Sequence, residues 1–164
     1  MTVADRKKQL RIVAEMLLVH LPALLKPRHA PARGASAGDQ TNQADQPLVR
    51  DLLTVVSLAI RAAADDAEKS AVAWDKRAYD LRADELRREW EWASGAANYA
   101  AGLADRDQPV TDADLEKLRA LIGVELEHPK RLHYKHPAAF RGAREANRRR
   151  EQREGRRTPK RSLV

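Results

Sequence analysis

Cysteine is absent from the 164 residues, which removes disulfides, thiolate metal sites and a cysteine nucleophile together. The absence is compatible with a reducing cytosol, and a cytoplasmic location is the expectation it leaves. Aromatic residues make up only 4% of the chain, with a single Phe, and the apolar content is mainly Ala, Leu and Val. That composition suits closely spaced helices better than strands, which draw on Ile, Thr and Tyr. No apolar run approaches about 18 residues, so no membrane span is expected. Lys7 and Lys8 before MLLVHLPALL loosely resemble the start of a secretory signal, but Asp5, Glu15 and His20 interrupt that pattern. A Gly-rich phosphate loop, an internal repeat and a strained nucleophile turn are also missing. The chain is therefore read as non-enzymatic, with no cofactor.

Helix breakers are missing where they would matter most. No Gly or Pro occurs between Pro47 and Gly95, and almost every residue there is a good helix former. Two apolar rows follow the helical spacing. One runs Leu53, Ile60, Ala64, Ala67, Ala71, Trp74, Ala78, Leu81, and the other Val72, Tyr79, Ala83, Leu86, Trp90, Ala93, Ala97, Ala100. They predict one long helix over about residues 47–103, unbroken to Ala93 at least and about 70 Å long to that point at about 1.5 Å per residue. The polar patch Asp65, Asp66, Glu68, Lys69 is the place where a break would be expected, if there is one.

Shorter helices flank it. The first spans about residues 3–25, with Thr2 and Asp5 as a capping pair and a loosened turn at Pro22, which has no N–H to bond back to Leu18. Residues 27–46 are rich in Gly, Pro, Ser, Gln and Asn and read as a flexible linker, long enough for an antiparallel return. Thr111 and Asp114 cap a further helix over about residues 112–127. The helical domain is thus 1–127, followed by a basic tail over 128–164. The expected fold is all-α: a long central helix, two shorter helices packed on it, and a disordered tail.

Charge divides at the same place. Residues 1–127 hold 18 Lys/Arg against 21 Asp/Glu, whereas residues 128–164 hold 13 against 3, so the overall +7 resides in the tail. Clustered guanidinium groups bind phosphate oxygens in pairs and release counterions from nucleic acid. The candidate contacts are Arg131, Lys135, Arg141, Arg144, Arg148, Arg149, Arg150, Arg153, Arg156, Arg157, Lys160 and Arg161, with Tyr134 and Phe140 placed to stack on unpaired bases. RNA or another polyanion is the expected partner. A solvated tail, or one that docks on an acidic protein or membrane surface, is the plainer alternative.

Other constellations carry less. Trp74 and Trp90 lie in the apolar rows and read as core. On a continuous helix Trp92 stands roughly 200° from Trp90, which makes it a candidate subunit contact. Tyr79, Leu86, Trp90 and Trp92 form the expected protein interface, and the chain is expected to be a homo-oligomer or a subunit of a larger complex, because short flanking helices leave much of a 70 Å rod uncovered, by the same rise per residue. Glu125-x-x-His128 has the spacing of carboxylate-bridged metal bundles but lacks a second copy, and His128, His133 and His136 stand among cations, so no metal site is expected. A scaffold or assembly factor acting through the long helix is the alternative function.

Overall fold

The computed structural model describes residues 3–26 and 45–157, and among them every regular element is helical. Helix α1 (Val3–Glu15) passes through a π-helical stretch, Met16–His20, into α2 (Leu21–Leu25), so the first rod covers the expected 3–25. The central helix α3 (Gln46–Asp75) is followed by α4 (Asp80–Glu89), α5 (Trp92–Asp105) and α6 (Asp112–Leu121). A 3-10 turn at Pro137–Phe140 leads into α7 (Ala143–Arg157). Most of the expected linker, 27–44, lies outside the described residues, as do 158–164.

The π stretch has a local cause. The Leu21 amide bonds back to the Met16 carbonyl, five residues earlier, and Pro22 then offers no N–H to the carbonyl of Leu17. The guanidinium of Arg119, on α6, donates to that Leu17 carbonyl instead. A proline gap in the first rod is thereby closed by a residue about a hundred positions away in sequence.

The expected continuous helix over 47–103 is replaced by a hairpin. Helix α3 stops at Asp75, well past the polar patch at 65–69, and the stop is a Schellman turn: the Tyr79 amide bonds to the Trp74 carbonyl at 3.0 Å and the Ala78 amide to the Asp75 carbonyl at 2.9 Å. Ala78 occupies the left-handed position usually given to Gly, with φ +59°. This costs about 1 kcal/mol for a residue with a Cβ. A second bend at Trp90–Glu91 is closed by three-residue bonds from Glu91 to Arg88 and from Ala93 to Trp90. The apolar rows resume beyond the first break at Ala83, Leu86, Ala93, Ala97 and Ala100, which the returning segments bury, whereas Val72, Ala78, Tyr79 and Leu81 are exposed around the turn. Helix α5 lies antiparallel on α3, with Ser57 Oγ donating to the Ala97 carbonyl at 2.9 Å. At the far end the Gln46 side chain pairs with both backbone groups of Val110.

Small side chains make this return possible. Ala93, Ala96, Ala97, Ala100 and Ala104 of α5 are buried against Leu52, Leu53, Val56 and Ile60 of α3. Val13, Met16, Leu17 and Leu21 close the core from the first rod, and Leu115 and Leu118 from α6. A smaller cluster, Ala67, Ala71, Ala83 and Leu86, sits beneath Trp74 and Trp90 at the α3–α4 end. The first rod returns antiparallel along α3, bringing Arg6 Nε to 3.0 Å from Asp66 Oδ2 near its far end.

Helix α6 is capped as expected, with the Thr111 amide at 2.9 Å from the Asp114 carboxylate, but it ends at Leu121 rather than near 127. Residues 122–136 are irregular, so Glu125 and His128 do not share a helical face. Among the described residues no group of three or more His, Asp or Glu is arranged to hold a metal ion, and no helix is long and apolar enough to cross a membrane.

Candidate nucleic-acid interface

Much of the segment expected as a disordered tail is placed against the body. Two buried carboxylates hold it. Glu15, at the end of α1, accepts from the backbone amides of His133 at 3.0 Å and Tyr134 at 2.7 Å, and from His20 Nε2 at 3.2 Å. Burial raises the cost of its charge, but these three donors outweigh that cost and hold its carboxyl below the ordinary range. Asp51, buried on α3, accepts from the amides of Gly142 at 2.8 Å and Arg144 at 3.0 Å. It caps the N-terminus of α7 from another helix, supplying from outside the acceptor that α7's own sequence lacks.

These anchors decide where each candidate contact falls. Tyr134 and Phe140 meet edge to face at 4.7 Å between ring centroids and pack, partly buried, on the main core. Arg141 pairs with Asp45 at 2.6 Å, and this carboxylate raises its pKa. Arg148 reaches Asp105 at 2.9 Å and Arg144 approaches the same carboxylate at 3.5 Å. Three of the expected arginines therefore face body carboxylates, Arg144 and Arg148 sharing the single charge of Asp105. The opposite face of α7 carries Arg149, Arg150, Arg153 and Arg156, all exposed. Arg149 is bridged to Glu145 and Arg150 lies near Glu154, one helical turn away in each case. Such exposed pairs contribute about 0–1 kcal/mol and open readily for a stronger anion. Arg131 and Lys135 are exposed in the irregular segment. Helix α7 includes the backbone of Arg157, whereas its side chain, Lys160 and Arg161 lie outside the described residues.

The expected protein interface is redistributed. Leu86 is buried within the chain, in the small cluster under Trp90. The bend at Trp90–Glu91 removes the 200° separation on which Trp92 was placed outside: Trp90 and Trp92 stack at 5.5 Å with ring planes 30° apart. Trp92 also covers Gly123, where an added Cβ would meet its ring at 2.5 Å. Only Tyr79 stays outward, 54% exposed beside Leu81 at 81% and Val72 at 39%, around the α3–α4 turn.

The anchors themselves were readable only in outline. Asp51 stands between buried Val49 and Leu52, and Glu15 between Ala14 and Met16. A carboxylate on an apolar helical face marks a polar contact to come, but not with which segment. No protein-family model matches the chain, and no curated protein or solved structure matches it significantly.

Proposed function

We propose that this is a non-enzymatic helical binding protein whose C-terminal basic helix engages RNA. One observation carries the reading. Asp51 fixes the start of α7, and Arg141, Arg144 and Arg148 lie against Asp45 and Asp105, while Arg149, Arg150, Arg153 and Arg156 project outward as a ridge. Steps of four and three residues place Arg149, Arg153 and Arg156 on one side of the helix, with Arg150 about 100° around from Arg149. The sequence continues the charge with Arg157, Lys160 and Arg161. With Tyr134 and Phe140 packed inward, the binding is electrostatic rather than by base stacking, and so tolerant of sequence.

Fluorescence anisotropy with single-stranded RNA, duplex RNA and duplex DNA tests it. About four phosphate contacts on a single strand give a slope of log K against log salt near −2.8, at about 0.7 per contact. Reversing Arg149, Arg150 and Arg153 to Glu should remove most of the affinity while circular dichroism stays helical. Unchanged binding in that variant rejects the reading.

A second reading, a scaffold acting through protein contacts, is favoured by the exposed apolar side chains Val72, Tyr79 and Leu81. Sedimentation of the wild type beside Leu81→Glu separates the two: loss of a dimer in the variant supports assembly through this end.

A further inference from the structure

The two carboxylate anchors have different consequences for the surface above them. Where Glu15 holds the amides of His133 and Tyr134, the preceding residues are drawn against α1, and a cleft of about 490 Å³ forms between the two. Arg11 lines it from the α1 side, and Lys130 and Arg131 from the irregular segment. His128 and His133 complete the wall, and an imidazole ring carries an N–H able to donate to an anion. Among the described residues lining it, the carboxylates are Glu15 and Glu127. Glu15 is spent on its three hydrogen bonds beneath the surface. Glu15 keeps its charge there, so with Glu127 two carboxylates stand against three full cations, which leaves the lining net positive by one. The cleft continues along α1 towards Lys7, but Glu125 and Glu127 line that extension, so the positive end is the one bounded by Lys130 and Arg131.

We infer that this cleft is a second phosphate-binding site, taking the sugar–phosphate backbone of the RNA that α7 engages. Cations gathered around one concavity raise one another's energy and focus potential into it, which favours an anion there over open solvent. Here the gathering is enforced by the fold. The Tyr134 N–H donates to Glu15 and its ring meets Phe140, which holds the segment carrying Lys130 and Arg131 against α1, where they line one cleft with Arg11. The cleft also differs in kind from the α7 ridge. A ridge presents charge to any polyanion, whereas a concavity with donors on both walls encloses phosphates and selects a flexible single strand over a stiff duplex. The inference rests on the RNA reading for the identity of the ligand, but its residues are separate from those of the ridge.

The test uses the full chain and a fluorescein-labelled 20-nucleotide oligouridine, titrated at several salt concentrations. The cleft variant carries Arg11→Glu, Lys130→Glu and Arg131→Glu, and the ridge variant Arg149→Glu, Arg150→Glu and Arg153→Glu. A neutral cleft variant, Arg11→Gln with Arg131→Gln, guards against a fold damaged by charge reversal. The cleft variant should bind about tenfold or more weakly, with a salt slope shallower by about 2, at about 0.7 per lost contact. The neutral variant should show a smaller loss of the same sign. Duplex RNA of equal length should be less affected than the single strand. If cleft reversal leaves affinity and slope unchanged, the inference is overturned, even where ridge reversal abolishes binding. If the cleft variants lose binding and the ridge variant does not, the cleft stands and the assignment to α7 falls. A wild-type chain that fails to bind the oligonucleotide at low salt overturns both.

Discussion

The two ends of α3 are built differently. The end from Gln46 to Ile60 is enclosed by the first rod, α5, the 3-10 turn and α7, and it buries full-sized side chains such as Leu52, Leu53 and Val56. The end from Ala63 to Asp75 is covered by the start of α1 and by α4, and apart from Leu86 the buried residues of its cluster are alanines. Polar links supplement that thin core. Arg87 bridges Glu68 and Asp75, the latter at 2.6 Å, and both carboxylates raise its pKa. Asp66 holds Arg6 beneath the surface. The difference teaches that one helix can have a hydrophobic half and a half in which packing is shared with ion pairs. The second half is where local opening should begin, since it has fewer apolar contacts to lose.

Truncating one large side chain in each half breaks this comparison most directly. Leu53→Ala should cost about 3–5 kcal/mol and move the whole denaturant transition, because the enclosed core cannot collapse around the vacancy. Leu86→Ala should cost about 2–3 kcal/mol, at the low end for a leucine, because its exposed flank can relax. Hydrogen exchange should show the second loss confined largely to α4 and the end of α3. Equal costs, or a global response to both, would mean that the two clusters behave as one core.

A smaller effect sharpens the account of the enclosed half. Glu15→Gln keeps the shape but turns one accepting oxygen into a donor facing other donors, at about 1–3 kcal/mol. The carboxyl is held low, so its contribution is present above the ordinary value of 4.5 and fades as pH falls through the lower folded value. The stability gap between wild type and Glu15→Gln should therefore be full at pH 7 and narrow with acidification below pH 4.5. A gap that stays constant down to pH 2 would remove the charge from the explanation. Amide exchange at His133 and Tyr134 should quicken in the same variant.

The smallest expected change concerns the joint between the halves. Ala78→Gly relieves the left-handed strain at φ +59° and should stabilise the chain by about 0.5–1 kcal/mol, the freer unfolded state of Gly offsetting part of the gain. Thermal unfolding read beside Leu86→Ala checks it. A destabilised Ala78→Gly would contradict the Schellman turn and favour a helix that runs on through the joint.

Helical class, the Thr111–Asp114 cap and the disturbance at Pro22 were all legible in the chain, because each depends on residues within about one turn of one another. Apolar spacing marked many of the buried residues, including Ala67, Ala71, Ala83 and Leu86, but Val72, Ala78, Tyr79 and Leu81 of the same rows are exposed. It was silent on whether those rows face a partner or each other. A helix that continues and a helix that turns back bury many of the same positions, and the turn at Ala78 uses no Gly to announce itself. The basic segment shows the same division. Its composition fixed the charge, which is a sum over residues. Which arginines remain outward, and that Tyr134 and Phe140 turn inward, was decided by Glu15 and Asp51, two carboxylates whose acceptor atoms meet their donors more than ninety residues away. Local bonding is written in neighbouring residues, whereas the pairing of a buried charge with a distant amide exists only once the fold has brought them together.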